Sequence, residues 1–107
     1  MSDVSVKLRL SLQRALWGAV YPQLRQASIE ANERAHLIRV RFEYDGKPTD
    51  QVLDACQVAA TEVIADFADP WTIDDQHCEV PYPLKLNPLE HLVYLRAEES
   101  VKLKSLQ

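Results

Sequence analysis

Residues 38–45 of this chain alternate without a fault: Ile38, Val40, Phe42 and Tyr44 on one side, Arg39, Arg41, Glu43 and Asp45 on the other. Strand side chains point to opposite faces with period two, so this run predicts a half-buried strand. Such a strand is not stable alone. It needs neighbours for its hydrogen-bond ladder and an apolar layer over its hydrophobic face.

Two helical segments supply the layer. Leu8, Leu12, Ala15, Leu16, Ala19 and Val20 fall on one stripe, and Gly18 then Pro22 give a stop, which predicts a helix over about residues 5–19. Val4, Val6, Leu8, Leu10 and Leu12 also alternate, so a strand over 4–12 stays open as the other reading. The second helix is better marked. Thr49 follows Pro48 as a cap, and Asp50 faces the positive end of the helix dipole. Leu53, Cys56, Ala60, Val63, Ile64 and Phe67 form its apolar stripe, and Asp69-Pro70 ends it.

Three further strands complete the set. Ala27, Ile29 and Ala31 alternate with polar neighbours ahead of a turn at Asn32-Glu33-Arg34. Trp71, Ile73, Cys78, Val80 and Tyr82 suggest a third strand with a break near Asp74-Asp75, ended at a sheet edge by Pro81 and Pro83. His91 to Arg96 reads as a short fourth. The order α-β-β-α-β-β predicts an α+β fold: a four-stranded antiparallel sheet, built of two hairpins, covered on one face by two helices. Residues 1–97 form the expected single domain, and 98–107 a frayed polar tail.

Charge is divided along the chain. Residues 1–47 carry a net +3 and residues 48–107 a net −7. Polarity of this kind speaks to a charged partner rather than to chemistry. Two glycines in 107 residues argue against phosphate-cradling loops. Two cysteines, Cys56 and Cys78, make no disulfide framework and no close pair, which fits a reducing compartment. No run approaches the ~18 apolar residues of a membrane span, so the expectation is a cytoplasmic protein without membrane contact.

No constellation carries a reaction or a cofactor. His36, Cys56, His77, Cys78 and His91 lack the close pairing of a zinc site, so no metal is expected. Cys78 and His91 could meet across the second hairpin, but no third group or oxyanion loop supports a nucleophile, and no enzyme is expected. Asp74 and Asp75 with Glu79 read as a solvated turn. Arg39 and Arg41 share a strand face with Arg9, Arg14 and Arg25 nearby. Glu43 and Asp45 interrupt that face and no stacking aromatics lie on it, which disfavours nucleic acid. The acids Asp54, Glu62, Asp66, Asp69, Asp74, Asp75 and Glu79 cluster around an outward Val58. They suggest a docking face for a basic protein, with Val58 as a small dry centre.

The stretch Ala60-Thr61-Glu62-Val63-Ile64-Ala65-Asp66-Phe67, preceded by Leu12-Gln13-Arg14-Ala15-Leu16, resembles a widespread family of small bacterial proteins of this length. In size, acidity and lack of catalytic groups, its members are similar to the immunity proteins that neutralise secreted toxins. The resemblance implies an immunity-like, non-enzymatic binding protein, and the charge polarity of the chain adds the expectation that its toxin partner is basic. It transfers no functional residue. An adaptor or homodimer pairing through the open edge of strand 38–44 is the alternative.

Overall fold

The computed structural model describes residues 3–98. Helix α1 spans Asp3–Ala15, and its buried residues Leu8, Ser11, Leu12 and Ala15 recur at helical spacing. That stripe decides between the two readings of residues 4–12 in favour of the helix. It stops at Ala15 rather than near residue 19. The Trp17 amide donates to the Arg14 carbonyl three residues back (3.1 Å), and Gly18 takes a left-handed φ of 76° that turns the chain away.

Strands β1 (Leu24–Asn32) and β2 (Leu37–Tyr44) form the first hairpin, in register from Leu24 opposite Tyr44 to Asn32 opposite Leu37. Its turn is held by Asn32, whose Oδ1 accepts from the Ala35 amide, with His36 at a φ of 52°. Ile38, Val40, Phe42 and Tyr44 are fully buried, as their alternation demands. Helix α2 (Asp50–Ala65) starts at the Thr49 cap, whose Oγ1 accepts from the Val52 amide at 3.3 Å. Val52, Cys56, Ala59, Ala60 and Val63 are buried, while Leu53, Ile64 and Phe67 sit half-buried at the margin.

The sheet is mixed, which corrects the expected antiparallel arrangement. Strands β3 (Thr72–Glu79) and β4 (His91–Leu95) do not form a hairpin; the order is β3-β2-β1-β4, with the two at opposite edges. β3 runs parallel to β2, unbroken from Thr72 opposite Leu37 to Glu79 opposite Tyr44, so the break expected at Asp74-Asp75 is absent. The cause is α2. A strand–helix–strand connection returns the chain in its original direction beside the strand it left. β2 is thereby flanked on both sides, so the open edge that motivated pairing through strand 38–44 does not exist.

α1 packs on β1, β4 and α2, and α2 packs on β3 and β2. One core cluster joins both helices to the sheet.

Residues 80–90 carry the chain from one edge to the other as a strap over the polar side of the sheet. Rich in proline, the strap cannot pair as a strand, so its backbone groups meet side chains instead. The Asn87 amide donates to Glu43 Oε1 (2.7 Å) and the Leu89 amide to Ser28 Oγ (2.9 Å), while Arg41 Nη1 donates to the Asn87 carbonyl (2.7 Å). Arg25 Nη1 donates to the carbonyls of Val80 and Leu84 (2.7 and 2.8 Å). Covered on both faces and paired on both sides, β1 is buried continuously from Leu24 to Ile29, including Arg25, Gln26 and Ser28.

The tail expected to fray from Glu98 is anchored at that residue. Glu98 accepts from Arg25 Nε and Nη2 (2.6 and 2.8 Å) and from Arg96 Nη2 (3.1 Å). Residues 99–107 of that expected tail lie outside the described residues.

Candidate functional site

Between Pro48 and Leu84 the sequence holds eight carboxylates and no Lys or Arg. The fold distributes them over three surfaces. Asp54, Val58 and Glu62 are all exposed and follow one another at four-residue intervals, so they form one row along the outside of α2. Val58 is 49% exposed at the centre of that row.

Asp66 ends α2 and is a tether as well as an acid. It accepts from Ser11 Oγ at 2.6 Å and lies 3.3 Å from Arg14 Nη2, joining the two helices. At the other end of α2, Gln51 Nε2 donates to the Tyr21 hydroxyl at 3.1 Å. Residues 14–21 therefore run back along α2 from its C-terminal end to its first turn.

Asp69 is exposed in the turn before β3. Asp74 and Asp75, adjacent in sequence, point to opposite faces of β3. Asp74 stands in register with Arg39 on the polar side and accepts from Gln76 Nε2 at 3.1 Å. Asp75 and Glu79 fall on the other side, with Ile73 and His77. The row on α2 is thus one continuous feature, and the acids of β3 are a separate one at the sheet edge.

Behind Asp75 lies a hydrogen-bonded chain that sequence spacing does not reveal. The Tyr44 hydroxyl is 2.7 Å from His77 Nδ1, and His77 Nε2 is 2.7 Å from Asp75 Oδ2. Both contacts are satisfied by a neutral ring protonated at Nε2, with Tyr44 donating to Nδ1 and Nε2–H donating to Asp75. The imidazole stacks on Phe42 and Tyr44 at centroid distances of 5.2 and 5.9 Å.

Burial pushes the Tyr44 hydroxyl above its ordinary pKa, and its hydrogen bond with Cys56 pushes it further. Burial also raises the Cys56 thiol, outweighing the opposing effect of Tyr44. These groups hold their protons. A protonated, enclosed thiol is a core residue rather than a nucleophile, and the hydrogen bonds from Tyr44 through His77 hold Asp75 in place.

The other combinations weighed from sequence come apart. Cys78 and His91 lie on opposite edge strands, three strands apart in the sheet order. Arg41 is engaged by Gln76 and the strap, and Arg39 lies 3.5 Å from Glu30. His36 packs edge-on against Trp71. Among the described residues, no three His, Cys, Asp or Glu converge as metal ligands, and no helix is long and apolar enough to cross a membrane.

One exposed residue escaped the sequence reading. Trp17 is 75% exposed, more than any other large apolar side chain described. The only sequence signal for it was negative: it falls off the Leu8–Leu12–Ala15 stripe, immediately before Gly18.

No curated protein matches the chain. A family model described as MafI2 immunity protein matches residues 5–98.

Proposed function

Because the chain belongs to the MafI2 immunity protein family, we propose that it binds and neutralises a basic toxin domain through the acidic outer face of α2. The observation that carries this reading is the Asp54–Val58–Glu62 row, in a 37-residue stretch from Pro48 to Leu84 without a single Lys or Arg. A toxin that acts on nucleic acid needs cationic surface, and an inhibitor with the opposite field meets it faster and covers that surface. The acids of β3, with Asp75 held by His77, extend the negative field to the sheet edge. The protein acts here by occupying a surface and runs no reaction of its own.

The test uses the toxin domain whose lethality this chain suppresses on co-expression. Asp54→Lys combined with Glu62→Lys reverses two exposed charges and leaves the Asp66 tether intact. Association is expected to slow by about tenfold at low salt, with a flatter dependence on ionic strength. Unchanged association kinetics would remove α2 from the interface.

A second reading, self-association, is favoured by β4. Its residues His91–Leu95 include no Lys, Arg, Asp or Glu, whereas the β3 edge carries Asp74, Asp75 and Glu79. Charges protect edges from pairing, and β4 lacks them. Beside it, Val6, Arg9, Leu10 and Gln13 of α1 enclose a groove of about 300 Å³ with Leu92 and Val93. Pairing through β4 predicts a mass that rises with concentration in sedimentation velocity; a monomer throughout would end this reading.

A further inference from the structure

We infer that Trp17 is the anchor of the docking face, its indole receiving a guanidinium or ammonium group from the toxin. This deepens the reading above and rests on it.

Three observations converge. The first is exposure without backbone freedom. The Trp17 amide is bonded to the Arg14 carbonyl, the Ala19 amide donates to the Leu16 carbonyl (2.9 Å), and Leu16 between them is buried. Gly18, with its φ of 76°, fixes the turn just beyond. An aromatic displayed on a fixed backbone binds with little loss of conformational entropy, which is why rigid Trp and Tyr anchors dominate binding surfaces.

The second is position. Arg14 contacts Asp66 at one end of α2 and Tyr21 is bonded to Gln51 at the other, so the segment that displays Trp17 is tied to α2 on both sides of it. Val58 and Glu62 lie on α2 between these ties, and Val20 adds a further exposed apolar side chain. Trp17, Val20 and Val58 are thus exposed apolar side chains on two adjoining segments that also carry Asp54 and Glu62, the composition of a hot spot inside a polar rim.

The third is charge. α2 carries Asp50, Asp54 and Glu62 and no cation of its own, and Asp66 at its C-cap is already paired with Arg14. A cation drawn in by these carboxylates finds a π face beside them. Attraction between a cation and an indole strengthens as water is excluded, so the two effects reinforce each other at a closed interface.

The test uses the same toxin domain, identified by wild-type neutralisation, and compares Trp17→Ala, Trp17→Leu and Trp17→Phe. Trp17→Ala is expected to weaken binding about thirtyfold or more, the range of an interface hot spot. Trp17→Leu keeps apolar bulk but removes the π face, and is expected to fare nearly as badly. Trp17→Phe restores much of the affinity. All three should unfold at the wild-type denaturant midpoint, because the side chain lies outside the core. In a Trp71→Phe background Trp17 is the sole tryptophan, and its emission should change on binding.

Full affinity in Trp17→Leu would replace cation recognition by simple apolar contact and overturn the inference. Full affinity in Trp17→Ala would overturn it while leaving the α2 reading intact. If the wild-type chain neutralised no toxin, the function and the anchor would fall together.

Discussion

Arg25→Ala is expected to cost about 3–5 kcal/mol of folding stability near neutral pH, the range for removing one partner of a buried ion pair. Arg25 and Glu98 side chains are only 3% and 7% exposed. One guanidinium holds the Glu98 carboxylate through two bonds and the strap through the carbonyls of Val80 and Leu84. The alanine leaves the carbonyls of Val80 and Leu84 without this donor and the buried Glu98 carboxylate with only the 3.1 Å contact from Arg96.

The loss has a pH signature. Hydrogen bonding from Arg25, with further help from Arg96, holds the Glu98 carboxyl below its ordinary pKa. Asp45 is lowered first by the Tyr82 amide and then by Arg96. A carboxylate depressed on folding stabilises the protein above its unfolded pKa, and that contribution disappears as pH falls through the folded value. The wild type therefore loses stability in acid, below about pH 4. In Arg25→Ala the largest part of the Glu98 contribution is lost and only that from Arg96 is left, so the gap to wild type should narrow as the pH drops. Urea titrations at pH 7 and pH 3.5 check both points. A gap of equal size at the two pH values would show that Glu98 is not the group responsible.

Phe42→Ala is the second large effect, about 3–5 kcal/mol for a fully buried aromatic. Phe42 is inaccessible to solvent on an interior strand, and its ring supports the His77 imidazole at an interplanar angle of 15°. The cavity would therefore open in the core and beneath the residue that orients Asp75. Chemical denaturation measures the first consequence, and broadening of the His77 ring signals in NMR reports the second. A loss under about 1.5 kcal/mol would mean that neighbouring side chains collapse into the space.

Sequence reading succeeded where one face met water and the other the core. β2 and α2 are such elements, and both lie close to where periodicity places them. It found β1 through Ala27, Ile29 and Ala31 but missed its start at Leu24 and the burial of Arg25, Gln26 and Ser28, because local alternation does not show that the second face is also covered. It also misjudged the sheet direction, since strand order depends on what α2 and the strap do in space rather than on local pattern. The row Asp54–Val58–Glu62 was legible as a helical face. Trp17 was not, because an exposed aromatic breaks no local rule. The bonds joining Tyr44, His77 and Asp75 were hidden by the parallel register that places His77 opposite Phe42.

The contacts made beyond β3 tie the C-terminal part of the described chain back onto the first hairpin. The bond from Arg25 to Glu98, beyond strap and β4, joins residues 73 positions apart, so the hairpin, α2 and β3 all precede in sequence the carboxylate that pairs with Arg25. Without Glu98 the buried Arg25 keeps only the charges of Asp45 and Glu43 and loses its direct counter-ion, which is costly. One guanidinium holds both the strap and the segment that follows β4. A chain interrupted before residue 98 thus exposes the fault in β1, at its own core, rather than at the point of interruption.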